Sequence, residues 1–341
     1  MSAVVVTGLL KDYDWGIPRG LSAWHSAASS GPEAELWFGT HPSGRSPIKH
    51  QFGSEPVTSE VLVKLLAAHS PLSIQVHPGL DAMKWMHEHG QGHLLSDDQI
   101  KSELLIAIES FDVLVGLRQM ESAKSILSAM GPEHHSAGAY LDEQDWHGLF
   151  AWLLTQAPPA DCSAALDALT NPDERRIMQR VLVKYPDDRG LAVAFLMQPY
   201  ALVPGQAMFT DVGTIHSYVG GTGLEVMISS DNVLRLGLTQ KNVAVGAALV
   251  ALDPQGAGRF LVASADGWYR HEHMGFAVQR ISGTVQLPSR STLLCLAGEV
   301  ILDGPLGTAT LSQGQAALIG SQAGWKATTE AVAWLATPNL E

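Results

Sequence analysis

Gln75 and His77 stand two residues apart in the run Leu72-Ser73-Ile74-Gln75-Val76-His77-Pro78, which reads as a short strand. Residues i and i+2 of a strand point to the same side, so an amide and an imidazole are offered together to one face. Such a pair alone is more often a solvated face than a ligand pair. Its company changes that reading. Lys101-Ser102-Glu103 puts a carboxylate at the start of the apolar run Leu104 to Ile108, and Gly213-Thr214-Ile215-His216-Ser217-Tyr218 adds a second histidine beside a Gly-rich turn. Two imidazoles, a carboxylate and an amide suit a divalent cation such as zinc, which acts as a Lewis acid where one position stays open.

These residues must be positioned by strands. From Val4 to about Leu117 the chain reads as short apolar runs broken by Gly, Pro and Ser, interrupted by a helix over Asp81 to His89. From Gln119 to Tyr185 the spacing turns helical, over Met120 to Leu127, Trp146 to Thr155, Cys162 to Leu169 and Asp173 to Lys184, with Asp142, Asp161 and Asn171 near the expected N-caps. Leu191 to Ser230 then returns to strands and Gly-rich turns. The uncharged stretch Leu191 to Thr210 reads as strand, turn and strand, since Pro199, Pro204 and Gly205 interrupt any membrane helix. A helical turn follows Thr239, Pro254 to Gly258 reads as a linker, and the short runs from Phe260 to Leu335 read as a sandwich or barrel.

Composition excludes several classes. With 341 residues, 46% of them apolar, the chain is long enough for about two or three domains and is not disordered. Twenty-one Lys and Arg against 34 Asp and Glu leave a net charge of −13 with no basic run, which speaks against nucleic acid or an anionic membrane as partner. An anionic ligand must therefore be held by a few local cations. Cys162 and Cys295 form no CxxC pair, which points to a reducing, cytoplasmic setting, and Met1 to Leu10 reads as a first strand without a basic leader.

The segment Pro71 to Pro78, PLSIQVHP, resembles a signature of the type I mannose-6-phosphate isomerases, zinc-dependent enzymes of the cupin superfamily. Tyr13-Asp14-Trp15-Gly16, Ala34 to Pro42, Lys101-x-Glu103, His216-Ser217-Tyr218 and Ser230-Asp231-Asn232-x-x-Arg235-x-Gly237-x-Thr239-x-Lys241 resemble further family motifs in the same order. The resemblance runs from Tyr13 to Lys241 and is weak in the helical stretch. It implies a mainly β chain. A cupin jelly-roll catalytic domain is expected over 1–117 and 191–252, a helical insertion over 118–190, and a cupin-like β domain over 253–341.

The same resemblance implies one zinc ion per chain on Gln75, His77, Glu103 and His216. It implies a pocket for a small sugar phosphate containing Lys64, Ser73, Lys101, Tyr218, Glu225, Asp231, Arg235 and Lys241. The expected reaction interconverts mannose 6-phosphate and fructose 6-phosphate through an enediol, with Glu225 or Asp231 carrying the proton, Lys101 beside the reacting atoms, and Arg235 and Lys241 on the phosphate. Another sugar phosphate, or sugar binding without catalysis, is the alternative. The chain is expected to act as a monomer or weak homo-oligomer. Ile100 stands where the family carries a histidine, which bears on ring opening, and Gln240 stands where a proline is common.

Other clusters carry less. His271-Glu272-His273 reads as a solvated strand face rather than a second metal pair, and His87, His89 and His93 as a helix end and loop by the pocket mouth. Gly220-Gly221-Thr222-Gly223 lacks the spacing of a phosphate loop and reads as a hairpin turn. The nine tryptophans are too scattered for a nucleic-acid stacking platform.

Overall fold

Val61–Ala68 is an eight-residue strand buried along its whole length, yet its two faces differ. Val61, Val63, Leu65 and Ala67 enter a core shared with Leu36, Phe38, Leu104, Val226 and Leu318. Lys64 lies on the opposite face, where the strand's neighbour Leu66 packs with Leu105 and Tyr218. That alternation builds the molecule: one face of the sheet makes the core, and the other is free to build a site. The computed structural model describes residues 2–339 apart from 27, 28, 30 and 323.

The sheet that contains this strand runs in the order Arg259–Leu261, Ala207–Thr210, Glu103–Leu117, His216–Ile228, Val61–Ala68, Glu35–Phe38, Leu9–Lys11, with antiparallel neighbours. A second sheet packs across the shared core. Its order is Trp268–Tyr269, Phe276–Leu287, Trp325–Pro338, Thr292–Ala297, Gln315–Ile319, Ala3–Thr7, Ile48–Phe52. Two N-terminal strands thus complete the sheet made by the C-terminal residues. Ala3–Thr7 pairs with Gln315–Ile319 on one side and with Ile48–Phe52 on the other. Val4 and Val6 point into the shared core, while Ala3 and Val5 point into a third cluster with Leu293, Trp325 and Leu335. Burying each of the three valines contributes about 1.5–3 kcal/mol.

Helices cover the edge of the first sheet. Met120–Ala129, Trp146–Thr155, Cys162–Ala168 and Pro172–Lys184 lie where helical spacing predicts them. Asp161 and Asn171 accept hydrogen bonds from the first-turn amides of Ala164 and of Asp173 and Glu174. The cap of Trp146–Thr155 is Asp145, whose side chain accepts from Gly148 N, and not Asp142, which closes the short helix Gly138–Asp142. The helices bury their apolar faces on Ile74, Val76, Ile215, Leu234 and Leu236. These are the chain neighbours of Gln75, His77, His216 and Arg235, so the helical layer grips the alternate positions of the strands that carry the polar residues.

Three expectations are corrected. The span Leu191 to Thr210 begins with the helix Gly190–Phe195 before the strands Met197–Leu202 and Ala207–Thr210; Leu191 to Phe195 are buried in the helical cluster. Gly220 to Gly223 are no hairpin turn. They lie inside the long strand His216–Ile228, where the register slips between Asp112 and Val113, and Gly220 and Gly221 take φ of +158° and +142°. A Cβ on Gly220 would strike the Arg180 guanidinium, and one on Gly221 the Ser110 carbonyl, so the glycines make a bulge. His271 to His273 form a turn before Phe276–Leu287, not a strand. Among the described residues no helix is long and apolar enough to cross a membrane.

Candidate active site

Glu103 and His216 are the first residues of neighbouring long strands, and Gln75 pairs with His216 across the short strand Ile74–Val76. His77 follows one residue past that strand. The segment is pinned to its neighbour by Leu72 N donating to Tyr218 O at 2.8 Å and by Ser217 Oγ donating to Leu72 O at 2.8 Å. Three strand ends therefore converge. His77, Glu103 and His216 are all buried and offer one donor atom each within 4.8 Å of one another, the one such His/Cys/Asp/Glu group among the described residues.

Each imidazole is oriented from behind. His77 Nδ1 lies 2.7 Å from the Asn232 carbonyl and His216 Nδ1 lies 2.9 Å from the Thr214 carbonyl. A carbonyl can only accept, so in the neutral rings Nδ1 carries the hydrogen and both Nε2 atoms are bare lone pairs. Those two atoms face Glu103, at 3.2 Å from Oε1 for His77 and 3.5 Å from Oε2 for His216, and His77 Nε2 is buried with no hydrogen-bond partner. Burial, with the Lys101 ammonium beside it, keeps the His77 ring neutral down to about 4. Burial works against charge on Glu103, but the Lys101 ammonium at 2.8 Å holds its carboxyl well below the usual range.

Two lone pairs aimed at one carboxylate repel one another unless a cation lies between them. Gln75, whose Nε2 donates to Ser73 Oγ at 3.2 Å, borders the same space. The donor set of two imidazoles, a carboxylate and an amide fits a zinc-type divalent ion, with the carbonyls of Asn232 and Thr214 fixing the rings.

Gln75, Glu103 and His216 of this centre border a cavity of about 1260 Å³. Lys64, Ser73, Lys101, Tyr218, Glu225, Asp231, Arg235 and Lys241, all singled out in the sequence, line that one cavity together with Gln75, Glu103 and His216. Lys64 and Glu225 are cross-strand partners with Nζ and Oε2 2.9 Å apart. Burial opposes the Lys64 charge, yet Glu225 and Glu35 hold its pKa above the usual lysine value. Tyr218 donates to Glu103 Oε2 at 3.4 Å, and burial together with Glu225 and Glu103 raises its hydroxyl well above the ordinary value. Asp231 sits farther out and is partly exposed. Its carboxylate accepts from Ser43 Oγ at 2.6 Å and lies 3.7 Å from His41 Nε2, a ring that burial keeps neutral. Arg235 stands across the ladder from Gln75, and Lys241 is exposed at the mouth.

The walls include groups that sequence spacing did not single out. Glu35 and Trp37 alternate on the cavity face of Glu35–Phe38; Trp37 Nε1 donates to Glu35 Oε2 at 2.6 Å, and burial raises the Glu35 carboxyl. Their period-two spacing was the available signal, masked by a strand that is buried on both faces. Lys11 Nζ lies 4.4 Å from the Trp37 ring centroid. The remaining histidine clusters stay apart. His273 pairs with Asp211, and His87 with Asp98 at 3.2 Å, both on the surface.

A family profile described as phosphomannose isomerase type I, catalytic domain, matches residues 50–120. The mannose-6-phosphate isomerase of Salmonella typhimurium is 28% identical over 92% of this chain and 93% of its own, and mannose-6-phosphate isomerase 1 of Arabidopsis thaliana is 29% identical over 68% and 66%. The fold agrees over the whole length. The apo form of the Salmonella typhimurium enzyme superposes with a TM-score of 0.80 at 25% identity, covering 99% of each chain, and a zinc-bound mannose 6-phosphate isomerase superposes with 0.81 at 24%, covering 99% and 100%. Along nearly its whole length this chain is thus similar to mannose-6-phosphate isomerases, and over residues 50–120 it matches their catalytic-domain profile. The chain has the mainly β cupin fold, and the matched profile spans Gln75, His77 and Glu103 of the centre described above.

Proposed function

We propose that this protein is an aldose–ketose isomerase that interconverts D-mannose 6-phosphate and D-fructose 6-phosphate, with one zinc ion per chain held by Gln75, His77, Glu103 and His216. One observation carries the reading. His77 and His216 turn bare Nε2 atoms on Glu103 beside a cavity whose walls gather the buried lysines Lys64 and Lys101, the carboxylates of Glu225 and Asp231 and the guanidinium of Arg235.

Moving a hydrogen between C1 and C2 through an enediol needs a base beside those carbons, positive charge where the oxyanion develops, and a holder for the phosphate. Zinc, when bound, supplies Lewis-acid stabilisation of the oxyanion. The chain supplies the rest. Glu225 is the better-placed proton carrier, because it is buried on the same face as Tyr218 and Lys64 keeps its positive charge beside it. Asp231 is held by Ser43 at the mouth and suits a sugar hydroxyl. Lys101 lies against Glu103 and can stabilise negative charge next to the metal, and the Tyr218 hydroxyl stays protonated and able to donate. Ser73 sets the Gln75 amide. Arg235 offers the planar fork that suits phosphate, with Lys241 as a second cation.

Cys162 and Cys295 are buried and unpaired, which supports a reducing, cytoplasmic setting. A coupled assay of fructose 6-phosphate formation from mannose 6-phosphate tests the proposal, with free mannose as the control. Turnover of the phosphorylated sugar alone is expected. No turnover with zinc supplied, or turnover of a different phosphohexose in its place, would overturn the assigned substrate.

A further inference from the structure

Between Arg235 and Lys241 the chain makes a turn that two unusual conformations force. Gly237 takes φ +139° and Leu238, fully buried, takes φ +55°, a region an L-residue rarely adopts. Something outside the turn must hold it. The helical layer does so through one carboxylate: Asp188 Oδ2 accepts Thr239 N–H at 3.0 Å, and Oδ1 accepts Gly190 N–H at 2.7 Å at the start of Gly190–Phe195. Thr239 Oγ1 then accepts Lys241 N–H at 3.0 Å.

The two segments also meet glycine to glycine. A Cβ on Gly190 would lie 2.6 Å from Gly237 Cα, and one on Gly237 would lie 2.5 Å from Gly190 Cα, so neither backbone can retreat or accept a side chain. Asp188 borders the cavity, yet both its carboxylate oxygens are engaged by backbone N–H groups. Its charge is thereby committed to the turn and not to a ligand. Upstream, Arg235 Nε is buried without a hydrogen-bond partner, and the residue lies on the strand Leu234–Gly237 that leads into this turn.

We propose that Asp188 is a positioning residue for phosphate: by locking the Gly237–Thr239 turn to the helical layer it sets the separation of Arg235 and Lys241, so that the helical layer tunes affinity for the substrate's phosphate. This rests on the reading of the cavity as a sugar-phosphate site. Asp188→Ala removes both acceptors, Asp188→Asn keeps one oxygen, and Gly190→Ala disturbs the same turn from the other side with the carboxylate retained, its Cβ crowding Gly237 Cα and Asp188 Oδ1.

The test is steady-state kinetics with mannose 6-phosphate, alongside zinc content and calorimetric binding of inorganic phosphate to each zinc-loaded protein. For Asp188→Ala and Gly190→Ala, KM is expected to rise about tenfold with kcat within about threefold of the parent, the pattern of lost ground-state binding. Phosphate affinity falls in parallel, Asp188→Asn lies between, and zinc content is unchanged. A purely structural cap would lower thermal stability and leave the KM to kcat split and phosphate affinity alone; that result overturns the proposal. Calorimetry separates the two readings. Phosphate binding that weakens in the variants supports the role of Asp188 even if mannose 6-phosphate is not turned over, while equal binding in all four proteins overturns it whatever the substrate.

Discussion

A histidine whose Nδ1 is committed to a backbone carbonyl has only Nε2 left to offer, and both His77 and His216 are committed in this way. The Gln75-x-His77 spacing is legible because period two in a strand aims both members at one side, and Glu103 because it opens an apolar run, whereas Lys101 is marked by the family resemblance. The carbonyl partners were not legible: Asn232 lies 155 residues from His77, and only the fold brings its main chain behind the ring. His77→Ala removes one donor and leaves Glu103 facing a single imidazole. We expect it to lose bound zinc, measured by elemental analysis, and at least about a hundredfold in turnover, while circular dichroism stays that of the parent. The cysteines give a check of a different kind. Burial pushes the Cys162 thiol up to about 12 and the Cys295 thiol up to about 11, above the ordinary value of 9.0. A thiol whose pKa is raised by folding keeps its proton longer in the folded state, so both stay unreactive to iodoacetamide at pH 8 and react on unfolding. The same sign means that folding stability falls as pH rises from 9 towards these values. Fast alkylation of the native protein at pH 8 would contradict the burial.

Strands and helices were read most securely where one face is apolar and the other polar. Pro172–Lys184 is such an element, capped by Asn171 as its sequence predicts. Gly190–Phe195 was read as strand because its six residues are buried all round, and a short run without a polar face carries no period. The bulge at Gly220 and Gly221 looked like a hairpin turn because glycine marks both. What decides between them is the long-range partner: Arg180, from the helical layer, fills the space a side chain would need. Arg180 and Arg176 both reach the Asp112 carboxylate, at 2.9 Å and 2.5 Å, and Asp112 pairs with Gly220 across the bulge. Asp112 is buried while its arginines are partly exposed, so the pairs are partly screened. Asp112→Ala is expected to cost about 2 kcal/mol in urea unfolding and to leave zinc content unchanged. A cost below about 0.5 kcal/mol would mean that apolar packing alone docks the helix.

At the scale of the molecule, the mainly β character and the helical stretch were visible in the sequence, whereas the partnership of Ala3–Thr7 with the C-terminal strands was not. A five-residue apolar strand can pair with any open edge, and nothing local in AVVVT names Gln315–Ile319 as its neighbour. The consequence is mechanical. The second sheet is completed by the N-terminus, and its inner face shares a core with the sheet that carries the site. Deleting residues 1–8 should expose both edges that Ala3–Thr7 joins and abolish the single cooperative thermal transition expected of the intact chain; an unchanged transition would show the strand to be dispensable. The same shared core holds Leu104 beside Glu103, while the helical cluster holds Val76 and Ile215 beside His77 and His216. The account therefore depends most on the metal centre, and the most direct measurement is conversion of mannose 6-phosphate to fructose 6-phosphate before chelation, after chelation and after zinc is restored. Activity that disappears with the chelator and returns with zinc is the result expected. Full activity in verified metal-free protein would contradict the account.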